Sequence, residues 1–191
     1  MSSETWTADR FSGGDSLSTF RGWVIFAGVA ALAIGTAAVI YDTTATVASV
    51  VVFGALLMVG GFIQIVHAFY VRTWSGFLLY LLDGIIRTTV GTLLVLYPGA
   101  GADSLTLLLS FYFIVAGLFR AAGSAALRYP SWGWGVAAGV LSVALGIILA
   151  MRWPSVSTWF IGFAVGIDLI FYGWTLLMFA AAVKKVSNAF A

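Results

Sequence analysis

The chain has 191 residues, of which 62% are hydrophobic and only 8% charged, and its mean hydropathy is +1.07, far outside the range of water-soluble globular domains. The absence of cysteine excludes disulfides, thiolate metal sites and a cysteine nucleophile, and a single histidine leaves little for a histidine-based metal centre. A net charge of +2 with no basic run beside exposed aromatics argues against nucleic-acid binding. The composition is that of a membrane protein.

The first twenty residues mix both charge signs with Ser, Thr and Gly, and lack the basic start and apolar core of a cleavable signal peptide. They read as a flexible polar tail. Apolar stretches follow at 22–41, 45–70, 76–97, 104–126, 133–152 and 156–183, each near or above the ~20 residues needed to cross the hydrocarbon. Backbone amides in lipid must find internal partners, so these runs predict six helices in an all-α integral membrane domain over 21–185, followed by a short tail at 186–191. Pro98 and Pro154 fall just after the third and fifth runs, where a missing N–H stops a helix at little cost.

One skeleton recurs three times. Gly28, Gly35 and Tyr41-Asp42 return as Gly84, Gly91 and Tyr97-Pro98, then as Gly139, Gly146 and Trp153-Pro154, at a period of 55 to 56 residues. Beyond each turn Gly54 and Gly61 align with Ser110 and Gly117, then with Gly166 and Gly173. The chain is therefore read as three tandem antiparallel helical hairpins, about 22–70, 76–126 and 133–183. A spacing of seven returns a glycine to nearly the same helix face, and small residues allow the close backbone approach that drives helix association in lipid. These glycines are read as packing residues, as are the small-xxx-small pairs Gly135/Gly139 and Gly162/Gly166.

Arg10, Arg21, Arg72, Arg128, Lys184 and Lys185 belong to the tails and the links between hairpins, whereas the turns inside hairpins hold Asp42, Asp103 and only Arg152. The positive-inside rule then places both termini in the cytoplasm. Trp23, Trp74, Trp132, Trp134, Trp153 and Trp159 cluster near helix ends, as aromatic belts do.

Where the repeats disagree, charge enters. Asp83 stands at the position of Ala27 and Ala138, and Arg87 at that of Ala31 and Ser142. Arg120 replaces Gln64 and Leu176, and Asp168 replaces Leu56 and Tyr112. All four fall inside predicted spans, where a charge costs at least ~2.5 to 3.5 kcal/mol on insertion scales. Counting ~1.5 Å per residue from the outer turns brings Asp83, Arg120 and Asp168 to a similar depth, with Arg87 one turn shallower, so the four are expected to meet. Such a buried Asp/Arg cluster either fixes the register of three similar hairpins or lines a polar cavity that responds to protons or holds a polar solute. His67, with Gln64 one turn before it, is a secondary polar candidate.

The aromatic-proline turns after a glycine-spaced helix, with GFAVGIDLIFYGWTLL at 162–177, resemble the HdeD-like family of small bacterial inner-membrane proteins over roughly 21–183. Gly166, Ile167, Asp168, Leu169 and Gly173 look most like a signature; Asp42 stands where the pattern has proline. The resemblance implies a six-span inner-membrane protein linked to acid stress, with no established enzymatic activity; no cofactor or metal is expected. The partners expected are membrane lipids, and the glycine faces are compatible with a homo-oligomer. A small channel or transporter for protons or a polar solute is the alternative. HExxH, GxSxG and P-loop motifs are all absent, which argues against an enzyme.

Overall fold

An apolar run bounded by turn residues folds as a helix in lipid because only the helix satisfies every peptide group within the segment. The computed structural model describes residues 13–127 and 130–189, and all the regular structure there is helical. The helices are α1 (Gly13–Ile40), α2 (Asp42–Ala68), α3 (Trp74–Leu96), α4 (Pro98–Leu127), α5 (Trp132–Met151) and α6 (Ser157–Ala189). Each contains a stretch long and apolar enough to cross a membrane, as the sequence predicts. Residues 1–12, 128–129 and 190–191 lie outside the described residues, and the readings made on Arg10 and Arg128 fall there.

The helix ends differ from expectation in instructive ways. α1 already begins at Gly13, within the expected tail, and α6 continues to Ala189. α4 opens at Pro98, six residues before the expected start, because a proline at the first helical position needs no N–H partner and has its φ preset. The Gly101 N–H then donates to the Tyr97 carbonyl at 2.9 Å, so the turn between α3 and α4 is a single residue. Asp42 opens α2 where the repeat pattern has proline; its Oδ1 accepts the Thr43 N–H at 2.6 Å, and the acid suits the positive end of the helix.

The chain divides into two units, one formed by the described parts of Met1–Ala37 and Gly166–Ala191, the other by Ala38–Val165. In the larger unit the glycines of α2 face those of α3. A Cβ at Gly61 would lie 2.5 Å from Thr88 Oγ1 and 2.8 Å from the Gly84 carbonyl, and one at Gly54 would lie 2.9 Å from the Gly91 carbonyl. α4 and α5 repeat the arrangement, with a Cβ at Gly117 falling 2.7 Å from the Gly139 carbonyl and one at Gly146 falling 2.6 Å from the Ser110 carbonyl. In the smaller unit α1 and α6 do the same: 2.7 Å from Gly35 to the Gly166 carbonyl and 2.6 Å from Gly173 to the Gly28 carbonyl. Of the thirteen glycines read from the sequence as packing residues, Gly28, Gly35, Gly54, Gly61, Gly84, Gly91, Gly117, Gly139, Gly146, Gly162, Gly166 and Gly173 are buried, and Gly135 is half-buried. The seams they build run between α2 and α3, α4 and α5, and α6 and α1, so they join neighbouring hairpins instead of closing each hairpin on itself.

Within the larger unit a second contact gathers the starts of α2, α4 and α6. Val50, Leu94 and Ala102 form a small buried core, flanked by Leu57, Leu105 and Ile161. Gly162 packs against the Asp42 carbonyl and donates its N–H to Thr46 Oγ1 at 2.9 Å, both groups buried. The Ser157 hydroxyl donates to the Asp103 carboxylate, and Trp153 Nε1–H donates to the Asp103 carbonyl at 3.1 Å, so the turn between α5 and α6 is tied to α4. Most large apolar side chains remain exposed, Trp23, Trp74 and Trp134 among them, as expected where lipid is the solvent.

Thr46→Val keeps the shape of the side chain and removes the acceptor for the Gly162 N–H. It should cost about 1 to 3 kcal/mol and lower the melting temperature in detergent, whereas Thr46→Ser should retain it.

Candidate functional site

The α2·α3 seam decides where the charges of α3 point. Gly84, Thr88 and Gly91 face α2, and the Thr88 hydroxyl is satisfied by the Gly84 carbonyl at 2.8 Å on its own helix. Asp83 and Arg87 each precede a seam residue and so sit about 100° around the helix from it. Their side chains remain 40% and 51% exposed, and Arg87 Nε–H donates to Asp83 Oδ2 at 2.8 Å. They are the tenth and fourteenth of the 23 residues of α3, on either side of its middle.

This arrangement corrects the four-charge cluster. Among the described residues Asp83 and Arg87 form the only ion pair, and none of the four charges is buried. Arg120 is exposed on α4 and Asp168 is exposed on the part of α6 that belongs to the other unit; neither forms an ion pair among the described residues. Two physical reasons account for the difference. The residue four along the same helix is the closest carboxylate Arg87 can reach, and it needs no second helix. The early start of α4 at Pro98 also makes Arg120 the twenty-third residue of that helix, well past the depth counted from the turn. A pair confined to one helix cannot fix the register of three hairpins; the glycine seams do that.

The secondary candidates lie on the same side of this seam. Gln64 is half-buried and His67 exposed, and the His67 imidazole packs 5.3 Å from the Tyr80 ring, centroid to centroid. Gly61 against Gly84 and His67 against Tyr80 set an antiparallel register in which Gln64 comes level with Asp83, and Gly60 with Arg87. Gly60 and Gln64 each precede a seam residue (Gly61 and Ile65), as Asp83 and Arg87 do, and in antiparallel neighbours such residues fall on one side. A Cβ added at Gly60 would meet nothing within 4 Å. Tyr80 and Gly60 went unnoticed in the sequence, although 60, 64, 67 and 80, 83, 87 are spaced for one helix face.

Among the described residues, only this helix pair carries an ion pair on its flank. The equivalent positions in α4 and α5 are Ala116, Arg120 and Gly123 with Gly135, Ala138 and Ser142, and those in α6 and α1 are Tyr172, Leu176 and Phe179 with Val24, Ala27 and Ala31. Chemically, the α2·α3 site offers a carboxylate, a guanidinium with four N–H donors beyond Nε, an amide, an imidazole and a phenol. These groups can donate and accept hydrogen bonds.

The family model described as a short repeat of unknown function, DUF308, matches twice, over residues 26–94 and 84–151. The first match contains the α2·α3 seam and the second the α4·α5 seam, and each begins within the preceding helix, α1 or α3. No curated protein and no solved structure matches the chain. The two matches together span more than half of the sequence, and the chain belongs to the DUF308 short-repeat family.

Proposed function

We propose that this is a non-enzymatic, HdeD-like protein of the bacterial inner membrane, with both termini cytoplasmic, that contributes to tolerance of acid or envelope stress. The Asp83–Arg87 pair is its responsive element. The observation that carries this reading is that the pair lies within one helix, half-exposed at mid-span. It holds no two helices together, so packing does not account for two charges that the other repeats replace with Ala and Ser. Protonation of Asp83 would leave Arg87 without its counter-charge at a depth where that is costly, and the side of α3 toward Gln64 and His67 of α2 would then change its hydration. Six helices long and apolar enough to cross a membrane, membership of the DUF308 short-repeat family, and the resemblance of 162–177 to the HdeD-like pattern support the cellular context.

The test is survival of an acid challenge by a strain lacking the protein and complemented with variants. Removing one partner strands a charge at a cost of ~2.5 to 3.5 kcal/mol, so the informative variant is Asp83→Leu with Arg87→Leu together. This double variant should reach the wild-type yield of folded protein yet fail to restore survival. Full survival with the double variant would remove the pair from the function, and proton flux in liposomes that depends on the pair would favour a transporter instead.

A further inference from the structure

The ion pair poses a solvation problem that the chain does not solve by itself. Asp83 is nine residues from the start of α3 and Arg87 nine from its end, roughly 14 Å in each direction, which exceeds the reach of a snorkelling side chain. Only Nε of Arg87 and Oδ2 of Asp83 are engaged in the pair. The two side chains are half-exposed, and in hydrocarbon each unsatisfied polar group costs several kcal/mol. Arg120 differs, being seven residues from the end of α4, or about 10 Å, most of which an extended arginine side chain covers toward the interface.

The neighbouring residues indicate what solvates the pair. On the same side of the α2·α3 seam, the His67–Tyr80 contact lies where α2 ends and α3 begins, Gln64 follows one turn deeper, and Gly60 leaves open space level with Arg87. Polar groups thus succeed one another at one-turn intervals from the membrane surface to mid-span, and the deepest position has no side chain. Beyond Arg87 on this side of α3 the next residue is Val90, so the polar series stops near the middle.

We propose that this side of the α2·α3 seam is a blind, water-filled crevice, open at the membrane face where α2 ends and α3 begins, that brings water and protons to Asp83 and Arg87. Its ion pair and histidine are specific to this helix pair: the equivalent positions of α4 and α5 hold Arg120 and Ser142 but no acid, and those of α6 and α1 are apolar apart from Tyr172. The crevice stands independently of the stress-tolerance reading, because access of water is measured whether or not the protein protects cells.

The chain has no native cysteine, so single substitutions can report access directly. Gly60→Cys and Gln64→Cys, with Leu82→Cys and Ile86→Cys as controls on the opposite, exposed face of α3 at similar depth, are made in the full chain and reconstituted in lipid vesicles. A membrane-impermeant thiosulfonate reacts with the thiolate, which forms in water and not in hydrocarbon. Modification of Gly60→Cys and Gln64→Cys should be about tenfold or more faster than that of the two controls, and only with reagent added on the side where α2 ends. Rates equal to those of Leu82→Cys and Ile86→Cys would overturn the proposal. So would equal labelling from both sides, which means a through-pore, or spontaneous disulfides between two chains at Gly60→Cys or Gln64→Cys, which means a second copy covers the pair. Gly60 has open space around it, so the Gly60→Cys arm remains decisive if Gln64→Cys proves unstable.

Discussion

Backbone-to-backbone contact between helices, with no side chain in the way, is the constraint on which this structure depends. In lipid the usual hydrophobic drive between helices is missing, and association rests on dispersion contacts that fall off steeply with distance. Glycines spaced by seven on each partner let α2 and α3 approach until Gly61 and Gly84 meet, and the same contacts recur in α4 with α5 and in α1 with α6. Where Ser110 takes the place of a glycine its hydroxyl turns back to the Leu107 carbonyl at 2.7 Å, and Gly146 still packs on its backbone. The contact is between main chains, so it tolerates a small polar side chain that satisfies itself locally.

A seam made of main chain also determines what the remaining faces must do. Once Gly84, Thr88 and Gly91 are committed to α2, the residues just before them are forced to its flank, and in α3 two of these are Asp83 and Arg87. The pair therefore comes to lie beside the seam in the middle of a span. Its partners across the seam, Gln64 and His67, share the flank through the same register. The chemistry of the molecule is in this sense a by-product of its packing, placed by glycines that have no chemistry themselves. The two repeats matched by the family model each contain such a seam, yet only one of them carries an ion pair on its flank.

The fold was largely legible in the sequence because glycine spacing, apolar run length and turn residues are local signals, and lipid leaves few alternatives to a helix. The pairing of the seams was less so. A tight turn such as Tyr97 suggests that the two helices it joins pack most closely, but nothing in the sequence says whether Gly91 faces the helix after it or the one before it. The charged cluster failed for a related reason. Depth counted from a turn depends on where the helix begins, and Pro98 lies inside α4; depth along a helix also carries no information on direction around it. The polar flank was readable in principle from the spacing of 60, 64, 67 and of 80, 83, 87, yet it becomes a site only when the register places Gln64 level with Asp83.

The account rests on the seam glycines, and an alanine scan of the glycines followed by thermal unfolding in detergent tests it most directly. Alanine at Gly54, Gly61, Gly84, Gly91, Gly117, Gly139 and Gly146 should each lower the melting temperature, by an amount corresponding to about 1 to 3 kcal/mol of overpacking. Alanine at Gly60 or Gly123, where an added Cβ meets nothing within 4 Å, should leave it unchanged. Unaltered melting with alanine at both Gly61 and Gly84 would contradict the claim that main-chain contact at these positions holds the helices together.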